Sequence, residues 1–483
     1  MEDSKHQFMG TEKVTKLLFK FSLPSMIGML VNALYNIVDR IYIGNIPGIG
    51  KDAIAGVGLI FPVTLFVFAF SVLIGLGSAN NISLLLGQKK KEEAEKFLGN
   101  ALALAIVISI VLLLGVTLNI DKLIILIGGS ANTSAHAKDY LSILALGFPG
   151  ALISYTLNAG IRADGNPKKS MTTLLVGAIT NIILDPILIF GFGMGVKGAA
   201  IATIISQYIS AIWTIYYFTS GLSGLKLFKK NIRISLNKAL KAASIGAAPF
   251  TLQIGASAIN YVFNITMKKY GGDIAVSAIA IVQGVLMFIT MPVFGINQGL
   301  QPILGYNYGA KLYSRVKEAL FKGIFVAVII CSFNFLMIQF LSRHVIHIFN
   351  QDETLIRLAS RGLRIQTLVL PIAGMQIISS IYFQAVGKPR MSIIMSLSRQ
   401  VILLIPCIFI LSFKFGVSGV WFATPTADTL SAMLTFFLLR RELKHLKFLE
   451  SEAKNKSENT KDKKLDEEKL GEKELNNADQ LWD

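Results

Sequence analysis

Gly165-Asn166-Pro167-Lys168-Lys169-Ser170 returns 222 residues later as Gly387-Lys388-Pro389-Arg390-Met391-Ser392. Working outward, Pro149 meets Pro371 at the same shift. Gly195-Val196-Lys197-Gly198 meets Gly416-Val417-Ser418-Gly419 at 221, and Pro186 meets Pro406 at 220. Pro24 opens the first half as Pro249 opens the second, and Gly87 with its basic sequel aligns with Gly309 and 311–322. The chain is two copies of one plan.

Composition says what the plan is made of. Of 483 residues 53% are apolar and 16% charged, where a soluble protein carries about 25% charged residues. The 439–483 tail alone holds 11 Lys/Arg and 12 Asp/Glu. Mean hydropathy is +0.58. The apolar residues come in blocks of about 20, enough to cross ~30 Å of hydrocarbon at ~1.5 Å per residue. This excludes an ordinary soluble enzyme. Cys331 and Cys407 both lie inside apolar blocks, so there is no disulfide framework. The net charge of +18 forms no basic face interleaved with aromatics, which argues against a nucleic-acid partner.

Twelve spans are expected, at about 15–42, 54–85, 97–119, 137–162, 169–192, 197–219, 239–267, 274–303, 319–342, 357–385, 391–413 and 417–439. The first block is too long for a cleavable signal peptide and lacks a small-residue cleavage site. The N-terminus and even-numbered gaps hold 24 Lys/Arg and the odd-numbered gaps 12, four of them in the ninth–tenth connection. The basic face is therefore expected to be cytoplasmic, with both termini on it. Six spans per copy make the repeats parallel, related by an axis along the membrane normal. The expected fold is all-α integral membrane: an N-lobe (1–220), a cytoplasmic linker (221–238), a C-lobe (239–440) and a charged tail (441–483) that stays disordered or forms a solvated helix.

An inserted carboxylate costs about 2.5–3.5 kcal/mol and needs a reason. Asp39 lies in the first span and Asp185 in the fifth. Asn181 stands four residues before Asp185, on the same helix face. Pro186 removes a backbone donor beside that carboxylate and is expected to kink the helix. Counting rise per residue, Thr203 lies about 9 Å into the sixth span, matching the depth of Asp39 and Asp185, while Asn158 lies nearer the cytoplasm. Two acids among amide and hydroxyl oxygens form a hard-oxygen site for a proton or a small cation, because both cannot easily ionise in low dielectric. The competing reading pairs Asp39 with Arg40 or Lys51 at the membrane edge. In the second half Arg399 and Asp428 lie at comparable depth and read as a structural ion pair.

Asn32, Tyr35 and Gln207 share helix faces with this cluster, and Met26, Met29 and Met287 are candidates to line a cavity beside it, or simply to pack helices. Gly193-Met194-Gly195-Val196-Lys197-Gly198 spells GxGxxG but follows a whole transmembrane helix, so it carries no dinucleotide. His344 and His347 near Asp352 and Glu353 read as an interfacial patch rather than a metal centre. No nucleotide-hydrolysing loop is present.

The run DPILIFGFGMGVKGAAIAT (185–203), FSLP (21–24), the two GNP/GKP turns and the six-plus-six repeat resemble the multidrug and toxic compound extrusion (MATE) transporters. The likeness extends over about residues 10–440 and is nearest the DinF-like prokaryotic branch and its drug-exporting relatives. It implies a monomeric, V-shaped antiporter, not an enzyme, in a prokaryotic plasma membrane. Such a protein exports bulky, often cationic organic compounds against H+ or Na+, with no resident cofactor. The family's N-lobe cluster falls on Asp39, Asn158, Asn181, Asp185 and Thr203. Relatives of the NorM type use carboxylates in the seventh and tenth helices; here Gln253, Gln366, Gln376 and Gln384 are the polar residues of those spans. A flippase of lipid-linked saccharides from the same larger superfamily is the alternative, although its cavity is usually cationic.

Overall fold

The computed structural model describes residues 4–128 and 131–479, and the described residues are almost wholly helical, without a strand. Among the described residues, eight helices are long and apolar enough to span a membrane. Two more spans are bent pairs: Thr133–Ala145 with Phe148–Ala163 (54°), and Glu353–Gln366 with Leu370–Ala385 (55°). Pro149 and Pro371 sit in the first turn after each bend. Proline is tolerated there because that turn has no donor to lose. Two of the eight helices exceed any single crossing, Leu236–Gly309 with 74 residues and Pro389–Ala453 with 65. Each breaks at one glycine with positive φ, Gly272 (+65°) and Gly416 (+57°), a conformation that side chains with a Cβ rarely adopt. Dividing both gives the twelve spans expected from sequence.

The repeat is visible in the packing. A Cβ on Gly87 would lie 2.0 Å from the Tyr306 carbonyl oxygen, and one on Gly309 would lie 2.1 Å from the Leu84 carbonyl oxygen. Shifted by 222, each contact becomes the other. The second and eighth spans thus touch backbone to backbone across the pseudo-twofold axis. Lys89 and Lys311, again 222 apart, are the two non-glycine residues with positive φ (60° and 58°) among those described. The second span also meets the seventh through Gly77 on Ala242 and Gly246 on Leu73. The eighth meets the first through Gly295 on Met26 and Gly299 on Phe21 and Ser22. These seams lie toward the basic face. Toward the opposite, far face, Tyr261 and Met287 stand 67% and 60% exposed.

A short helix, Ser4–Thr11, bridges both lobes on the basic face. His6 Nε2 lies 2.8 Å from Asp164 Oδ1 on the N-lobe. The Met9 carbonyl accepts from Asn307 Nδ2 (3.0 Å) and Arg315 Nη2 (3.3 Å) on the C-lobe. Asp164 also accepts from the Tyr217 and Ser223 hydroxyls and the Gly224 and Leu225 N–H groups. The segment after the sixth span is thereby wrapped around one carboxylate. The last helix runs on to Asp479, and its Glu442 takes Lys388 (2.7 Å) and the Tyr382 hydroxyl (2.9 Å).

Because the Gly87 contact leaves no room for a Cβ, Gly87→Val is expected to push the basic ends of the lobes apart. Spin labels at Lys91→Cys and Tyr313→Cys should report a longer distance than in the parent. An unchanged distance would mean that the seam relaxes locally.

Candidate functional site

The fifth span (Pro167–Gly191) carries the centre of the site. Asn181 and Asp185 are both fully buried and lie one turn apart. The α-helix ends at Pro186 and continues as a π-turn, Ile187–Gly191, closed by Phe192 N–H on the Ile187 carbonyl at 2.9 Å. The expected kink is thus a widened turn directly after the carboxylate, a device common at functional sites.

Three other spans close around this pair. Asn181 Nδ2 lies 3.3 Å from Asp185 Oδ1 and 3.4 Å from Thr203 Oγ1 on the sixth. Asp39, from the first span, brings its carboxyl beside that of Asp185. Tyr140, from the far-face half of the bent fourth span, lies near Thr203 and both acids, and Tyr35 also lies near the acids. Three oxygens here are buried without a hydrogen-bond donor: Asp39 Oδ1, Asn181 Oδ1 and Asp185 Oδ2. Buried acceptors are normally satisfied. Here the deficit is all of one sign, and a cation would fill it.

Among the described residues no ion pair joins Arg40 to Asp39. Arg40 sits over the Phe61 ring, 5.6 Å from its centroid, though its charge still acts on Asp39. The Lys51 side chain lies outside the described residues. Asn158 stands apart from the other four. Its Nδ2 donates to the Ser170 carbonyl (2.8 Å), and its Oδ1 accepts from Ser170 Oγ and Arg162 Nη1. That knot belongs to the basic-face end of the fourth span, below the bend. Tyr140 is the member that sequence reasoning missed; one tyrosine among thirteen carries no signal without the bend that aims it.

The cavity candidates divide. Met26 packs on Gly295, and Met29 Sδ receives Gln298 Nε2 at 3.2 Å, so both belong to the seam between lobes. Asn32 accepts from Asn36 one turn along. Gln207 Oε1 presses on Gly147 at the bend of the fourth span, buried and without a donor. Met287 is exposed. In the C-lobe, Arg399 Nε and Nη2 meet Asp428 Oδ1 and Oδ2 at 2.7 and 3.3 Å. Arg399 rides on a second π-turn, Ser398–Leu403, and Gln376 donates to Ser431 nearby. Among the described residues no group of three His, Cys, Asp or Glu is placed to hold a metal ion.

Comparison with known proteins places this architecture. Multidrug export protein MepA of Staphylococcus aureus (strain MRSA252) is 28% identical over 453 residues, covering 92% of this chain and 98% of the relative. The MepA of Staphylococcus haemolyticus is 28% identical over 444 residues, 91% and 96%. Among solved structures, a multidrug resistance MATE family transporter in its outward-facing conformation superposes with a TM-score of 0.87 at 23% identity. It covers 92% of this chain and 99% of its own. A MATE in the bent conformation also gives 0.87 at 23%, covering 93% and 99%. The MatE family model matches residues 24–187 and again 249–410, once in each half of the repeat, and the chain belongs to the MatE family.

Proposed function

We propose that this protein is a secondary antiporter that exports amphipathic, often cationic organic compounds, driven by H+ or Na+ entering the N-lobe cluster. The observation that carries this reading is the set of three donorless buried oxygens on Asp39, Asn181 and Asp185. Such a set has no use for another acceptor and a strong use for a positive charge. The substrate class is supported by the relatives named multidrug export proteins. The basic-residue count favours both termini on the cytoplasmic side, and the family resemblance favours a prokaryotic plasma membrane and a monomer. The face opposite the basic one is then the side on which substrate leaves.

Coupling follows from one bistable element. Without a cation, repulsion between Asp39 and Asp185 is relieved by splaying the first and fifth spans, and the π-turn after Pro186 lets the fifth span give. A proton or Na+ removes the repulsion and favours a tighter N-lobe with less room for a bulky substrate. Each ligand prefers a different state, which is the requirement of antiport.

Dye transport in inverted vesicles under separately imposed H+ and Na+ gradients tests the function; no response to either gradient ends the reading. Equilibrium binding of a fluorescent substrate at fixed membrane potential tests the competition. Affinity should weaken as pH falls or Na+ rises. Affinity flat across both titrations eliminates the competition.

A further inference from the structure

We propose that the far face of the C-lobe carries a phosphate-binding site, separate from the transport cavity, built by Arg343, Arg357, Arg361 and Arg364 around Ser360. These four arginines are the basic cluster of the ninth–tenth connection, on the side where the other odd-numbered gaps hold one or two Lys/Arg each. Cations in that position work against the insertion bias of a membrane chain. The structure gathers them. Residues 357, 361 and 364 recur at helical spacing along one face of Glu353–Gln366, and Arg343 approaches from the end of Tyr313–His347. Between the two helices lies a cavity of about 470 Å³ walled by all four arginines, Gln339 and Ser360.

The charges are far from balanced. Glu353 is the one carboxylate in ion-pair contact with them among the described residues, 2.7 Å from Arg343 and 3.6 Å from Arg357. Arg364 Nε is held by Ser342 Oγ at 2.7 Å, and Arg361 has no ion pair among the described residues. A second observation points the same way. Ser360 is only 7% exposed, lines the cavity, and its Oγ has no hydrogen-bond partner. A buried hydroxyl on the wall of a guanidinium-lined cavity lacks an acceptor, and an oxyanion supplies one. Guanidinium forks bind phosphate oxygens in pairs, and a tetrahedral phosphate can engage several forks at once where a flat carboxylate engages fewer. The phosphate comes either from a phosphodiester lipid headgroup at the far leaflet or from free phosphate in the medium.

The test uses the purified full-length protein in detergent. Native mass spectrometry with added dioleoylphosphatidylglycerol reads the lipid arm, and calorimetric titration with sodium phosphate reads the free arm. The wild type should bind at least one probe, and R357Q/R361Q should bind it at least tenfold more weakly, with its unfolding temperature showing that it folds. Loss confined to the lipid arm identifies a headgroup, and loss in the phosphate arm a free anion. Glu353→Gln releases Arg343 and Arg357, buries nothing new, and should tighten binding of the same probe severalfold. Failure of the wild type to bind either probe overturns the proposal. So does an affinity that neither substitution changes.

Discussion

Asp39→Asn is expected to reduce gradient-driven efflux to the level of vesicles without the protein, while the chain inserts normally and binds dye only with the weak affinity of the cation-filled state. The amide has nearly the shape of the carboxyl it replaces, so packing around the first span is preserved. It also brings two N–H donors to a site where Asp185 Oδ2 and Asn181 Oδ1 have none. The acceptor deficit that draws a cation is filled by the protein itself, and the like-charge repulsion that separates the two N-lobe states disappears. The cation and pH dependence of dye binding should vanish with it. Full gradient-driven efflux by this variant would remove Asp39 from the coupling site and leave the fifth and sixth spans to carry it alone.

Asp428→Asn is expected to lower the yield of folded, monodisperse protein severely. The Arg399 side chain is mostly buried and its guanidinium is paired by two contacts to Asp428. Removing one partner of a buried pair costs about 3–5 kcal/mol, because the remaining charge is stranded. Arg399→Asp combined with Asp428→Arg should recover much of the yield lost in either single variant, measured by fluorescence-detected size exclusion. A stable Asp428→Asn protein that no longer couples dye export to a gradient would instead assign the pair to transport.

The site was legible where helix spacing alone fixes neighbours. Asn181 and Asp185 share a face by four-residue spacing, and Thr203 and Asp39 match them in depth by counting from nearly straight helix ends. Counting fails on the fourth span. Its 54° bend between Ala145 and Phe148 swings Tyr140 toward Thr203 and leaves Asn158 with Arg162 and Ser170, and no rise per residue anticipates that. The proline that makes the bend, Pro149, was visible as half of a repeated pair, but its direction was not. Turns were clearer than breaks. The GNP and GKP turns announce themselves in composition, whereas the eighth span begins after a single glycine, Gly272, within a chain that is helical on both sides. The Ser4–Thr11 bridge rests on His6, Met9 and Asn307, contacts between residues about 160 and 300 positions apart, beyond the reach of any local pattern.

The reciprocal contact of Gly87 with Tyr306 and of Gly309 with Leu84 has a meaning for origin as well as for packing. In an isologous interface, the kind that joins two identical subunits, residue i of one subunit touches j of the other while j touches i. Leu84 and Gly87, with their counterparts 222 residues on, satisfy that rule within one chain. A six-span ancestor paired through its second helix would have made this same contact between separate molecules. In the present chain the two halves differ in charge: the N-lobe holds two acids facing one another, and the C-lobe an arginine and an aspartate that cancel. A near-symmetric frame thus holds one charged site where symmetry alone would give two.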